Sequence, residues 1–378
     1  MAMTGEHAVV SARDKKHIFV VNPHSFRHRQ AMDAAVAGIE EAFKRSSIKV
    51  TRRGATLSLA RLSGEQGGIR GADYTVYVSR HPRDAVGAIQ KLAAAAPKKQ
   101  AIRVYAVGGD GILFDCLNAI IGLPNAELAA IPYGRENDFI RAFGEDLDPL
   151  FKDIVAQATS PAIPTDVILC GENYAMNFCS VGIESLSIMK KKALCCRFEG
   201  VRDFVPWLDA AIYYASTILA SGSSRVRRQR YTIDADGADL SGQYAALHIS
   251  NGPCYGRRMT PVPEALPDDG LLDLLFAGEQ SAFCAFRTMP DFVRGAHMKG
   301  KYAAKRMFMH TRAHEATITS DELLVVDLDG ESFFDTSVTV KVVPGGVRFV
   351  SPGGMRFAQR LPYPCQAAFE THAREGGR

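Results

Sequence analysis

The stretch Ile102–Ile121, IRVYAVGGDGILFDCLNAII, decides how the rest of the chain is read. Ile102 to Val107 is short and largely apolar, the composition of a strand buried in a parallel sheet. Gly108, Gly109, Asp110 and Gly111 break it, and an amphipathic helix is expected from about Ile112. Three glycines around one acid let a ligand approach the backbone where any side chain would clash, and the free N–H groups of the next helix's first turn point into the same space. That is a place for phosphate. An acid there would repel phosphate directly, so Asp110 makes chemical sense if it orients the loop, holds a metal or takes part in transfer. Taken alone, the same residues would also serve as a plain strand-to-helix turn, because short glycine motifs recur by chance.

At 378 residues the chain is too long for one ordinary core, and two domains are expected. The net charge of +4, from 45 basic and 41 acidic residues, is too balanced for a surface that binds nucleic acid throughout. The eight cysteines form no C-x-x-C pair, which predicts reduced thiols in an intracellular, cytoplasmic protein and argues against zinc. His310 and His314 lie four apart with no third ligand nearby in sequence. The first residues lack the apolar core of a signal peptide, and Asp209 interrupts the best candidate membrane span, Val205 to Ala220.

Working outward from the glycine stretch, His17 to Val21 reads as a strand ending in a ligand-facing turn, Asn22-Pro23-His24-Ser25. Met32 to Phe43 has apolar residues at helical spacing. Ile48 to Leu59 is ambiguous, and Ser63 to Gly71 reads as a glycine-rich loop. Tyr74 to Ser79 alternates as a strand, and Asp84 to Ala95 reads as a helix ended by Pro97-Lys98-Lys99. Beyond the glycines, Leu128 to Ile131 is a further strand, closed by Pro132-Tyr133-Gly134-Arg135-Glu136-Asn137-Asp138, with a helix through Phe143. Such alternation predicts an α/β domain over residues 1–160, a doubly wound parallel sheet of Rossmann-like type whose loops gather at the carboxyl ends of the strands.

After Pro161 the texture changes. Ala162 to Leu169, Tyr174 to Val181, Val226 to Asp234, Tyr244 to Ser250, Leu271 to Phe276, Glu315 to Ser320, Leu323 to Leu328 and Ser337 to Val343 read as strands. They predict a mostly antiparallel β-sandwich over residues 161–344, with residues 345–378 the candidates to pack back onto the first domain. Two helices are expected, Val201 to Leu219, which holds Trp207, and Ser281 to Val293. The apolar face of the first either packs on the sandwich or meets lipid or a partner chain. Arg374 to Arg378 reads as disordered.

Five separated pieces then match one pattern in order and rough spacing: Asn22-Pro23-His24-Ser25, Gly108 to Gly111, Pro132-Tyr133-Gly134 with Asn137-Asp138, Pro263 to Asp273, and Asp329-Gly330-Glu331. Asn251, Gly252 and Gly256 fit it too. Over most of its length the chain resembles the diacylglycerol kinase catalytic family, which includes bacterial lipid kinases and sphingosine and ceramide kinases. The resemblance implies ATP-dependent transfer of the γ-phosphoryl group to a lipid hydroxyl, with the nucleotide on the first domain and the lipid entering between the two. It implies that Asn22, Pro23 and Ser25, through Phe26, with Ser79, Gly108, Gly109, Asp110, Gly111 and Arg135, bind the nucleotide. Asp110 is also a candidate catalytic residue. The Asp329-Gly330-Glu331 turn supplies two carboxylates, one to accept the hydroxyl's proton and one to orient it, with Glu331 or Asp329 as the base. By the same resemblance Asp269, with the carbonyls of Leu266 and Leu271, holds a Mg2+ ion.

The matches depart from the family where they are expected to be tightest. Phe26 stands where glycine is usual, and Ile112 where threonine follows the glycine turn. Asp115 replaces a glutamate, Arg135 a threonine, Arg257-Arg258 two glycines, and Glu184-Ser185 the pair Asp-Ala. Three readings accommodate these changes: an active lipid kinase in which Arg135 clamps phosphate, a catalytically degenerate relative that binds lipid or acts as a scaffold, and a soluble kinase of nicotinamide nucleotides. The Asp269 stretch and the late Asp-Gly-Glu turn favour the lipid family. Lys190-Lys191-Lys192, then Arg225, Arg227, Arg228 and Arg230, and later Lys299, Lys301, Lys305 and Arg306, offer transient contact with an anionic membrane surface. A homodimer is left open.

Overall fold

The computed structural model describes residues 11–26, 28–43, 56–60, 69, 72–97, 100–144, 146–197, 212, 215–216, 219–220, 222–223, 229–256, 259–278, 282–298 and 307–358. The helix expected over 201–219 with its Trp207, the 63–71 loop, the basic residues at 225–228 and 299–306, and the 374–378 end fall outside them, apart from isolated residues. The chain divides into two compact units, Met1–Thr165 with Val347–Arg356, and Asp166–Gly346 with Phe357–Arg378.

In the first unit the apolar run β1 (Lys16–Val21) is buried along its whole length. It lies between two parallel neighbours, β3 (Asp73–Val78) and β4 (Ile102–Gly108), in register from Lys16↔Asp73 and Lys16↔Ile102. The spatial order is β2 (Thr56–Ala60), β3, β1, β4, β5 (Ala126–Pro132), and Phe349 pairs with Leu128 on the outer side of β5. Only β2 runs antiparallel. Helix α1 (Arg29–Phe43) follows β1, α2 (Asp84–Ala94) follows β3, and α3 (Asp110–Ile120) follows β4; α2 packs on α3, whereas α1 packs on α5 (Ile154–Thr159) beyond the short α4 (Asp148–Lys152). Adjacent strands β1 and β4 therefore send their helices to opposite faces. The loops after them flank the switch point of the sheet, where open parallel sheets bind ligands.

Charge is buried at the opposite, amino-terminal end of this sheet. Arg103 is 1% exposed; its Nε donates to Glu127 Oε2 (2.7 Å), and its terminal nitrogens donate to the carbonyls of Gln157, Ala158 and Ser160. One guanidinium thus caps the carboxyl end of α5 from inside the core. Lys15 Nζ completes the cluster on Glu127 at 2.8 Å. Burial alone would raise the Glu127 carboxyl, but Arg103 and Lys15 hold it below its ordinary range. Next to them His17 Nε2 lies 2.7 Å from the Ala12 carbonyl, which can only accept, so Nδ1 is left to accept from the Tyr105 hydroxyl at 2.6 Å.

The second unit is antiparallel throughout its main ladder. β8 (Phe178–Gly182) pairs with β12 (Ala246–Ser250) and β15 (Glu315–Leu328); β12 continues to β13 (Leu272–Ala277) and β14 (Phe308–Ala313). β15 also pairs with β16 (Glu331–Val350) and β9 (Arg230–Ala235), which carries β10 (Ala238–Asp239) and β11 (Gly242–Gln243). The segment expected as one strand over 174–181 is broken: β6 (Ala162–Cys170) pairs with β7 (Asn173–Ala175), and Met176-Asn177 turn the chain into β8. The two strands expected over 315–328 are one, β15, whose register with β16 shifts between Thr319 and Leu324. A helix absent from the sequence reading, α6 (Ile183–Arg197), follows β8, and α7 (Ala282–Val293) matches expectation. Among the described residues no helix is long and apolar enough to cross a membrane.

His17 gives a pH test. Burial pushes its imidazole down to about 4, so the unfolded chain binds the proton that the folded one refuses. Stability is expected to be complete above pH ~6.5 and to fall as pH drops toward 4, by up to about 3 kcal/mol. Thermal unfolding of His17→Gln across that window should show a visibly shallower loss than the unsubstituted chain.

Candidate functional site

The nucleotide-side candidates all come to the carboxyl end of the parallel sheet. Asn22 N–H donates to the Val107 carbonyl (3.0 Å), and Ser79 N–H to the Val21 carbonyl (2.9 Å), so the turn after β1 begins beside the end of β4 and the turn after β3 beside the end of β1. Asn22 caps the short turn Pro23–Ser25 by accepting from His24 N–H. Gly108 fits against this turn, since a Cβ there would lie 2.8 Å from Ser25 Oγ and 2.7 Å from Ile112 Cγ2. Its carbonyl accepts from both Tyr133 and Gly134 N–H at 2.9 Å, which draws in the loop after β5. Gly134 then lies on Gly109, and a Cβ on Gly134 would collide with the Gly109 Cα. None of Gly108, Gly109, Gly111 or Gly134 has a positive φ; close approach, not handedness, is what requires glycine at Gly109 and Gly134. The space beside Gly111 is open.

Asp110 opens α3. Its Oδ1 accepts from Asp138 N–H at 2.8 Å, and the intervening Asn137 takes a left-handed φ of 51°. Burial, reinforced by the charge of Glu136, pushes the Asp110 carboxyl up to about 6 against the pull of those N–H bonds. Asp110, Glu136 and Asp138 place carboxylate oxygens within 4.8 Å of one another, the metal-like trio found among the described residues. A small cavity between Gly108, Asp110, Asn137 and Phe139 adjoins them, and Asn137 Oδ1 is buried there without a hydrogen-bond donor. Arg135 is exposed on the same loop.

The departures at Phe26, Ile112 and Asp115 are absorbed locally. Phe26 packs its ring on Tyr133 (centroids 4.6 Å apart) as part of the core cluster. Ile112 is 3% exposed. Asp115 accepts from the N–H of Arg83, whose φ is 66°.

In the second unit the two carboxylates of the Asp329-Gly330-Glu331 turn have different tasks. Asp329, at φ 50°, accepts from the N–H groups of Met176 (2.6 Å), Asn177 (3.1 Å) and Phe178 (2.9 Å). A carboxylate so bonded anchors the turn to the start of β8. Glu331 is part-exposed and receives Lys192 Nζ of α6 at 2.8 Å. Bonded to the same turn is a residue the sequence reading passed over: Asp327 is fully buried, accepts from Gly330 N–H (2.8 Å) and Ser332 Oγ (2.6 Å), and is pushed up to about 6 by burial. Asp327 faces Ser180 across the ladder, and Ser180 faces His248. His248 Nδ1 lies 2.7 Å from Glu184 Oε1, its Nε2 is buried without a partner, and its ring stacks on both Phe178 and Tyr255, whose centroids are themselves 5.0 Å apart. Ser185 Oγ meets Ser180 Oγ at 2.9 Å.

The expected Mg2+ site at Leu266, Asp269 and Leu271 has a different content. Asp269 Oδ1 accepts from Leu271 N–H (3.1 Å), and Asp269 Oδ2 lies 3.4 Å from an Arg312 terminal nitrogen. Burial raises the Asp269 carboxyl, and Arg312 opposes that. A divalent ion fits this arrangement poorly, because one oxygen of Asp269 already accepts from Leu271 N–H and a fixed cation stands 3.4 Å from the other. The two histidines of the 310–314 pair are bonded to different acids, His310 to Asp273 at 2.6 Å and His314 to Asp236 at 3.0 Å.

Comparison with known proteins agrees with this architecture. The model of the diacylglycerol kinase catalytic domain matches residues 16–167, and that of the YegS C-terminal NAD kinase beta sandwich-like domain matches residues 199–351. The chain is 25% identical over 250 residues to "Putative lipid kinase SH2167" of Staphylococcus haemolyticus, covering 66% of this chain and 76% of that one. It is 22% identical over 282 residues to "Putative lipid kinase SAR0780" of Staphylococcus aureus, covering 73% and 86%. A crystal structure of a diacylglycerol kinase, so designated provisionally, from Bacillus anthracis superposes with a TM-score of 0.62 at 19% identity, covering 90% of this chain and 98% of that one. With both family models matched in order along the chain, the domain over residues 16–167 belongs to the diacylglycerol kinase catalytic-domain family.

Proposed function

We propose that this protein is an ATP-dependent lipid kinase that transfers the γ-phosphoryl group to a lipid hydroxyl. The observation that carries the reading is the glycine turn at the switch point of the parallel sheet, with open space beside Gly111 at the first turn of α3. Phosphoryl transfer asks the protein to position two reactants and neutralise spreading charge. ATP supplies the phosphoryl group. The first-turn N–H groups of α3 offer donors to its phosphates, the backbone of Gly108 and Gly109 forms the floor, and Arg135 supplies a guanidinium. A Mg2+ ion carried in with the nucleotide would meet Asp110, Glu136 and Asp138, whose mutual repulsion it would relieve.

On the acceptor side, Glu331 is the base in this proposal and Asp329 the residue that holds its turn. Three backbone donors on Asp329 favour that division, since a carboxylate committed to them is a poor proton acceptor. The reading of a degenerate, lipid-binding relative finds less support, because Phe26 and Ile112 pack into the core around the glycine turn and leave the space at Gly111 open. Diacylglycerol-like and sphingosine-like acceptors both fit, and transient contact with a membrane surface through Lys190-Lys191-Lys192 on α6 would bring either to the protein.

Millimolar Mg-ATP should raise the unfolding temperature by a few degrees, as expected for a ligand well above its Kd. Gly111→Ala adds a methyl group where nothing lies within 4 Å, so folding should be unharmed while the nucleotide-induced rise shrinks; Gly87→Ala, in the open interior of α2, is the control that keeps it. No rise in the unsubstituted chain would defeat the proposal. For the acceptor side, Glu331→Gln should lose transfer to lipid with unfolding temperature unchanged, whereas Asp329→Asn should lose transfer and stability together, by about 1–3 kcal/mol. Transfer at full rate in Glu331→Gln would show that the base lies elsewhere.

A further inference from the structure

The turn Asp268-Asp269-Gly270 feeds directly into β13, and the ladder between β13 and β14 sets what stands beside it. Register places Arg312 opposite Asp273. Asp273 is 1% exposed, and its Oδ1 accepts from Arg312 Nε at 2.9 Å and lies 2.6 Å from His310 Nε2. Held there by Nε, the guanidinium turns a terminal nitrogen back to Asp269 Oδ2 at 3.4 Å. The third carboxylate of the group, Asp166, has both oxygens committed: Oδ2 accepts from Gly270 N–H and Oδ1 from Gly345 N–H, each at 2.7 Å. Three acids therefore converge on one turn, and the cation among them belongs to the chain.

We propose that Arg312 is the built-in cation of this turn, taking the place that the family resemblance gives to Mg2+, so that the second unit holds its Asp269 turn without a bound divalent ion. The inference rests on the family reading, not on catalysis. A guanidinium suits the position for a geometric reason. Its planar fork spans two carboxylates at once, and its charge persists at any physiological pH. Mg2+ needs near-octahedral oxygen ligands at about 2.1 Å and gives up water reluctantly. With Leu271 N–H on one oxygen of Asp269 and Arg312 near the other, an incoming dication would have to displace a hydrogen bond and sit beside a fixed positive charge. The substitution also explains why a positive side chain stands on β14 across from the Asp269 turn. Removing it should leave three acids without a cation and uncover the metal site.

The test reads folding of the full chain, so it stands apart from turnover: failure to phosphorylate any lipid would remove the kinase reading and leave this result legible. Unfolding temperature is measured in EDTA and in millimolar Mg2+ or Ca2+ for the unsubstituted chain, Asp269→Asn, Arg312→Gln, Arg312→Lys and the double variant Arg312→Gln with Asp269→Asn. A metal response belongs to the turn only when Asp269→Asn abolishes it, which separates it from ion binding at Asp110. The unsubstituted chain and Arg312→Lys should show no Asp269-dependent response. Arg312→Gln should be less stable in EDTA and recover by several degrees with either ion, and the double variant should not. An Asp269-dependent gain in the unsubstituted chain overturns the proposal, as does an Arg312→Gln variant that folds and ignores both ions. Should Arg312→Gln fail to fold, the comparison of the unsubstituted chain with Asp269→Asn decides alone.

Discussion

Two glycines lie against each other at the head of the parallel sheet, and the candidate nucleotide site depends on that contact. Gly109 ends the turn after β4, Gly134 begins the loop after β5, and no methyl group fits between them. Because both loops hang from the Gly108 carbonyl, the contact also fixes where Asp110 and Asn137 meet. A larger residue at position 134 would have to push the two loops apart, separating Asp110 from the Asp138 N–H that holds it. Asn137 accepts a left-handed backbone to make this approach, a conformation asparagine tolerates better than most residues. Strain is thus placed on a side chain that can bear it, and the glycines are kept for closeness.

The parallel half of the fold was legible because buried parallel strands are nearly continuous apolar runs, and β1, β4 and β5 are such runs broken by glycine, proline and asparagine. What escaped was structure with no sequence period to announce it. Helix α6 begins at Ile183 behind Gly182 and runs through Lys190-Lys191-Lys192 to a pair of cysteines, with apolar and polar residues spread around it instead of along one stripe. Gly182 itself, at φ 96° and packed against the Ala245 carbonyl, marks the entry only once the neighbouring strand is known. The bulge that makes β15 a single strand is likewise a property of pairing. Within the site, residue types were readable and their tasks were not: Asp329 and Glu331 are both acids two positions apart, and only the backbone of Met176 to Phe178, far away in sequence, tells them apart.

Buried charge follows the same division of labour. At the amino-terminal end of the first sheet, Arg103, Glu127 and Lys15 form a closed set in which every oxygen of Glu127 has a cation and the guanidinium reaches three carbonyls. Such a set is inert, because removing any member strands the others. At the carboxyl-terminal end the Asp110 carboxyl is raised by burial, and its neighbour Glu136 raises it further. Acids crowded together are costly in the folded chain and are relieved when a cation arrives, which is why crowding of this kind points to a site and the closed Arg103 cluster does not.

The changes that separate this chain from the family pattern are matched by partners, and this is the strongest structural reason to read them as adaptation. Phe26 replaces a glycine and finds Tyr133. Glu184 replaces an aspartate and reaches His248, while Ser185 replaces an alanine and finds Ser180, the residue opposite His248 in the same ladder. A chain drifting after loss of function accumulates unmatched polar groups, and each would cost about 1–3 kcal/mol when buried. Here Glu184 is placed with a hydrogen-bonding partner far away in sequence, His248, and Ser185 with one five residues before it, Ser180. Nε2 of His248 is buried without a partner, as Asn137 Oδ1 is at the glycine turn, and the ring is held on its other nitrogen by Glu184, the residue that itself departs from the pattern. An orphan nitrogen fixed in orientation by a carboxylate is the arrangement a fold keeps when a ligand is to complete it.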